Sequence, residues 1–222
     1  MLRKLSNMKK IHLLIIPLLV IQLDSLAQVE LGAYAGIDNG KLSGDKYPNT
    51  QYKPSAGILV GLSIDAQISD LISLSIQPGF TSTGSRIQVP DSISNEWKDS
   101  ISIDFEYLLL PIYIKIQSKS KRLYFSSGFE FGYGLSLVVK NEIDEVDITN
   151  ELNKWNVSMV FGIGYKIPIK RSGLYFELRY SQGLVNLTKA DPQEDDNIPR
   201  VKISGLKLVT GFQIPISKRN KN

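Results

Sequence analysis

The chain has 222 residues, a net charge of +4, one histidine and no cysteine. Without cysteine there is no disulfide framework and no thiolate nucleophile, and the lone His12 lies in the N-terminal leader described next, so Cys-His, Ser-His-Asp and imidazole-ligated zinc sites are excluded. Much of the positive charge also sits in that leader: Arg3, Lys4, Lys9 and Lys10 against Asp24 carry three of the four net charges. The remainder is near neutral, which removes the electrostatic case for a nucleic-acid partner.

Residues 1–27 read as a secretory signal peptide. A basic start precedes an apolar run, Ile11–Leu23, that is interrupted by Pro17 and is too short to span a bilayer, for which about 20 residues are needed. Ser25-Leu26-Ala27 offers a signal peptidase its small residues ahead of Gln28, and Met8-Lys9-Lys10 would serve equally as a start. The rest, 28–222, is expected to be one domain.

From Val29 the pattern is alternation of apolar with polar or small residues, the period of a strand with two unlike faces. Strands are predicted at about 29–38, 55–68, 71–85, 100–117, 122–139, 155–169, 174–188 and 201–216. In the second, Ile58, Val60, Leu62, Ile64 and Ile68 oppose Gly57, Gly61, Ser63, Asp65 and Gln67. In the fourth, Ile101, Ile103 and Phe105 are odd-numbered but Leu108, Leu110, Ile112 and Ile114 are even, so a β-bulge is predicted at Glu106-Tyr107. The fifth places Leu123, Phe125, Phe129, Phe131, Tyr133, Leu135 and Leu137 on one face. The sixth, seventh and eighth repeat the pattern, with Lys166, Glu177, Arg179 and Lys207 on the small-residue face. Pro78, Pro111, Pro168 and Pro215 conflict with central pairing.

The connections alternate in length. Ser69-Asp70, Lys119–Lys121 and Lys170–Gly173 are short, while 39–54, 86–99, 140–154 and 189–200 are long. Asp38-Asn39-Gly40 reads as a turn. Eight strands joined in this rhythm predict an all-β fold, an eight-stranded antiparallel up-and-down transmembrane β-barrel, with termini and short turns on the periplasmic side. A soluble barrel with the bulky face inward would overfill an eight-stranded interior. The predicted lumen set is Tyr34, Gln77, Lys115, Glu130, Lys166, Tyr175, Glu177, Arg179 and Lys207, either a charge-lined conduit or, favoured, a salt-bridged plug.

Tyr107-Leu108-Leu109-Leu110-Pro111-Ile112-Tyr113-Ile114-Lys115 resembles a recurring strand of the PorT-like outer-membrane β-barrel family, with Leu109 where that family often has Glu. Gly162-Ile163-Gly164-Tyr165, Glu177-Leu178-Arg179-Tyr180 and Gly183-Leu184-Val185-Asn186-Leu187 are similar to further stretches of it. The resemblance implies the outer membrane of Bacteroidetes-type bacteria and, for some members, a part in secretion and gliding machinery.

No catalytic, cofactor-binding or metal-binding residue is predicted, no cofactor is expected, and the chain reads as non-enzymatic. Acidic residues crowd two outer loops, Glu142, Asp144, Glu145, Asp147 and Glu151 in one and Asp191, Glu194, Asp195 and Asp196 in the other, without the spacing of a calcium loop. Lys119, Lys121, Arg122, Lys170, Arg171, Lys218, Arg219 and Lys221 make the periplasmic rim basic. Trp97 and Trp155 are expected at the outer membrane interface. The expected partners are outer-membrane lipid and a periplasmic or envelope protein, or else a ligand of the outer loops.

Overall fold

The structure, a computed structural model, describes residues 28–45, 48–90, 96–141, 144–189 and 200–216. The proposed leader 1–27, Glu142, the acids Asp191, Glu194, Asp195 and Asp196, and the basic tail Lys218, Arg219 and Lys221 lie outside them.

The strands are β1 (Val29–Gly44), β2 (Gln51–Gln67), β3 (Ile72–Ile76), β4 (Gly79–Pro90), β5 (Trp97–Gln117), β6 (Leu123–Lys140), β7 (Glu145–Asp147), β8 (Trp155–Ile169), β9 (Ser172–Gly183) and β10 (Val201–Pro215). All pairings are antiparallel, and β1 pairs with β10 from Glu30↔Pro215 to Gly44↔Val201, which closes the ring. β3 and β4 are one wall strand broken at Gln77-Pro78, since both pair with β2 and β5, and β7 is a short strand added to β6 outside the ring. The barrel therefore has eight staves, as the alternation predicts.

The prolines are accommodated in two ways. Pro168 and Pro215 stand at strand ends, where a missing ladder donor costs little. Pro111 lies mid-strand, and its carbonyl accepts the Gln77 amide at 3.0 Å. It has no N–H to return to the Gln77 carbonyl, which instead accepts the Tyr34 hydroxyl at 3.1 Å from inside the lumen. The Pro78 carbonyl accepts the Leu62 amide at 2.9 Å, so the broken stave keeps its hold on β2.

Outward residues form an apolar belt. On β5 it runs from Leu108 through Leu110, Ile112 and Ile114 to Ile116, all exposed. At ~3.4 Å per residue and a tilt near 40° this stretch covers about 21 Å of height, close to the roughly 25 Å band of lipid-embedded barrels. β5 continues well beyond the belt, and there the chemistry of its faces reverses. Phe105 is buried inside whereas Glu106 points out, yet the order of in and out never changes from Phe105 through Tyr107 and Leu109 to Lys115.

This corrects the expected phase change in the fourth stave. The apolar residues switch from odd to even because the strand leaves lipid: below, apolar side chains face outward, and above, they face inward. The ladder does shift between Glu106 and Tyr107, but the additional residue belongs to β6, where Ser136 and Gly134 face successive β5 residues and Leu135 is extra. That bulge turns Leu137 inward, fully buried, so Leu137 leaves the lipid face assigned to it. Its amide donates to the Thr149 hydroxyl at 2.8 Å.

The barrel thus protrudes above the membrane. Most of the predicted first long loop is strand, for β1 runs to Gly44 and Asp38-Asn39-Gly40 lies within it, not in a turn. The buried apolar cluster that starts among the lumen tyrosines continues into the protruding part, where it holds Leu42, Tyr52, Phe105, Leu137, Leu187, Val201 and Ile203. Trp97 pairs with Pro90 at the far end of β5, well above the belt, so it does not mark the interface. Trp155 stands at the start of β8 opposite Tyr133, the two rings edge-on at 5.1 Å.

Candidate functional site

The lumen holds the buried polar chemistry, and β1 gives its order from the periplasmic end. Its inward residues are Glu30, Gly32, Tyr34, Gly36, Asp38, Gly40 and Leu42, a large side chain alternating with glycine. The glycines make room. A side chain at Gly61 would meet the Tyr34 hydroxyl at 2.5 Å, and one at Gly211 would meet the Tyr175 ring at 2.5 Å. Tyrosine rings lying over cross-strand glycines therefore fill the barrel.

At the periplasmic mouth Lys166 pairs with Glu30. In the next tier Lys115 Nζ is 2.7 Å from Asp65 Oδ2, which also accepts Gln213 Nε2 at 2.7 Å, and Ser75 donates to Asp65 Oδ1. Lys115 lies over the rings of Tyr124 and Tyr175, at 5.3 and 5.5 Å from their centroids.

The middle tier centres on Glu177 and Arg179. Arg179 Nη2 donates to Glu177 Oε2 and to Gln77 Oε1, both at 2.8 Å. Ser126 and Tyr124 donate to the two Glu177 oxygens at 2.5 and 3.0 Å. The guanidinium is flanked by Tyr113 and Tyr34 at 5.0 and 5.9 Å.

Above it Lys207 Nζ bonds Glu130 Oε1 at 2.5 Å and lies 3.5 Å from Asp38 Oδ2, which accepts the Thr81 hydroxyl at 2.9 Å. A cavity of about 20 Å³ follows, room for about one water molecule, lined by Tyr107, Leu109, Asn156 and Lys207 among others. Tyr107, Leu109 and Ile203 of its lining belong to the buried apolar cluster.

Every member of the predicted lumen set faces inward, and Glu177 and Arg179 pair as expected. Glu130 takes Lys207 as its partner, not Arg179. Asp38, read as part of a turn, is the lumen acid that sequence reasoning missed; its spacing of four from Tyr34, with Gly36 between, is the signal that could have placed it. Leu109 faces the cavity, so the glutamate of the resembling family would stand in this lumen.

Outside the lumen, two loops knit together over the outer end. Leu152 bridges Thr188, Asn153 N donates to Leu187 O at 2.8 Å, and Asn186 Oδ1 accepts the Val201 amide at 2.9 Å. The Asp147 carboxyl accepts the Thr149 amide at 2.8 Å, and hydrogen bonds from the Thr149 side chain and backbone hold it below the usual carboxylate range. Among the described residues no group of three or more Asp, Glu, His or Cys side chains is arranged to hold a metal ion. On the periplasmic side Lys119, Lys121, Arg122, Lys170 and Arg171 cluster at two turns.

Residues 22–189, well over half of the chain, match the family described as outer membrane protein β-barrel domain. No curated protein matches the sequence. Among solved structures, the attachment invasion locus protein Ail of Yersinia pestis is 14% identical, with 84% of this chain and 99% of that one covered and a TM-score of 0.46. Neisserial surface protein A is 11% identical over 83% and 96%, with a TM-score of 0.45. OprG from Pseudomonas aeruginosa is 11% identical over 87% and 97%, also at 0.45.

Proposed function

From the premise that this chain belongs to the outer membrane protein β-barrel domain family, we propose that it is a non-enzymatic envelope component that acts by contact at its two ends and carries no solute through its centre. The observation that supports this most is the packed lumen, in which Arg179, Glu177, Gln77 and three tyrosines occupy the middle tier. A protein built this way offers its wall to lipid and its ends to partners.

The first reading is an accessory or scaffold role in an envelope machine, in keeping with the PorT-like resemblance and with the basic turns on the periplasmic side. The second is a surface binder that works through the outer loops. It is favoured by the protruding part of the buried apolar cluster, which holds Leu187 and Thr149 and so gives those loops a fixed platform. In the first reading, crosslinking in intact cells followed by detergent extraction captures a periplasmic protein, and Lys170→Glu/Arg171→Glu releases it. Loss of capture only on changing Glu145, Asp147 and Glu151 would favour the second. Capture of no protein by either end, with steady conductance of the purified barrel, would overturn both.

A further inference from the structure

Four basic side chains stand on the outside of one wall, immediately above the apolar belt. They are Lys202 on β10, Lys41 on β1, Lys53 on β2 and Arg86 on β4, four strands adjacent in the sheet. Their outward aim follows from their neighbours in sequence. Leu42, Tyr52, Ser85, Val201 and Ile203 are buried on the lumen side, and strand side chains alternate between faces.

Lys53 and Arg86 are direct cross-strand partners. Lys41 pairs with Ser204 and Ser43 with Lys202, which makes the two lysines diagonal neighbours. Like charges set directly opposite are unfavourable in a sheet, and among the described residues no carboxylate forms an ion pair with Lys41, Lys53 or Lys202. Two acids near these lysines are engaged elsewhere: Asp45 accepts the Arg200 amide at 3.0 Å, and Asp104 on β5 pairs with Lys140 at 3.2 Å.

Height decides what the patch meets. The last bulky apolar residues below it are Ile37 and Ile58, paired across β1 and β2, and Leu206 on β10. Lys41 lies four residues above Ile37, roughly 10 Å up at ~3.4 Å per residue and a tilt near 40°. Long basic side chains reach down from there to a headgroup layer. With the short turns in the periplasm, that layer belongs to the outer leaflet.

We propose that this patch binds phosphate groups of phosphorylated glycolipid in the outer leaflet, and so gives the barrel one preferred lipid-facing wall. The adjoining wall of β5 and β6, where Asp104 and Glu145 pair with Lys140 and Glu106 is exposed, would repel the same groups.

The test uses the full-length protein, refolded into phosphatidylcholine nanodiscs that contain a small fraction of bisphosphorylated lipid A or its dephosphorylated form. Retained lipid is counted by native mass spectrometry, and heat-modifiable gel migration verifies folding of each variant. The wild type retains at least about tenfold more of the phosphorylated lipid; Lys41→Gln/Lys53→Gln/Lys202→Gln falls to the dephosphorylated level; Lys119→Gln/Lys121→Gln/Lys170→Gln at the other rim retains it undiminished. Equal retention by the wild type and the first variant overturns the proposal. So does loss confined to the second variant, which would place the phosphate at the periplasmic leaflet, and so does equal retention of phosphatidylglycerol, which would reduce the effect to bulk charge.

Discussion

The hydroxyl of Tyr34 substitutes for the amide that Pro111 lacks. It donates at 3.1 Å to the Gln77 carbonyl, which lies opposite the proline across the broken stave, and it reaches there because Gly61 and Gly79 leave space for the phenol. Three features that look unrelated along the chain, a proline in mid-strand, a strand break and a tyrosine flanked by glycines, are one hydrogen-bonding arrangement.

Tyr34→Phe is therefore expected to destabilise the barrel by about 1–3 kcal/mol, the cost of orphaning a buried carbonyl. Pro111→Ala in the Tyr34→Phe background restores an N–H facing Gln77 and should recover part of the loss. Urea-unfolding midpoints in detergent or lipid measure both. An unaltered midpoint in Tyr34→Phe would show that the carbonyl finds another partner.

The belt has a sharp edge on β5. Ile112→Arg, at its centre, should cost about 2–4 kcal/mol, whereas Glu106→Arg, also outward but above the lipid, should cost about 0–1. Folding yields into vesicles and unfolding midpoints distinguish them. Similar costs for the two would mean that β5 does not leave the membrane between Glu106 and Leu108.

How much of this was legible follows from what alternation reports. Period two fixes faces, so Ile58–Ile68 on the outside and Glu177 and Arg179 on the inside could be read directly. It does not report the surroundings of a face. In β5 the reversal from apolar-in to apolar-out imitates a bulge, and only the pairing places the extra residue at Leu135 on β6. Asp38 was obscured for a local reason, since Asp-Asn-Gly is a strong turn signal wherever no ladder competes, and here the pairing with β10 does compete. Partner choice among buried ions was not legible either, because Glu130 could reach Lys207 or Arg179 until the stagger of the staves was known.

The Glu177–Arg179 pair should behave as a unit. Arg179→Ala leaves the buried Glu177 carboxylate without its counter-charge, with only Ser126 and Tyr124 still donating to it, and takes the donor from Gln77 Oε1; it is expected to cost about 3–5 kcal/mol. Glu177→Gln/Arg179→Met removes both charges, and because a buried pair replaced by neutral groups is often close to neutral, it should cost well below the sum of its single changes. A double-mutant cycle on unfolding free energy reads the coupling, and simple additivity would show that the two side chains act independently.

The last expectation is that the barrel does not conduct. Its lumen is crossed by four ionic tiers, Glu30–Lys166, Asp65–Lys115, Glu177–Arg179 and Glu130–Lys207, and buried apolar side chains such as Leu42, Phe105 and Leu137 occupy the part beyond them. An eight-stranded ring encloses only enough space for side chains, and the cavity found among them, about 20 Å³, has room for about one water molecule. Ions would have to break a buried pair at each tier, at a cost of several kcal/mol per uncompensated charge. Purified protein in planar bilayers should accordingly show no steady current over a wide voltage range. Shortening Lys207 to alanine opens the tier beside the cavity but leaves Arg179 and Tyr113 across the tier below, so Lys207→Ala should lose stability without gaining conductance. Stable unitary steps from the unmodified protein would mean that the tiers part, and that the centre of the barrel is a path after all.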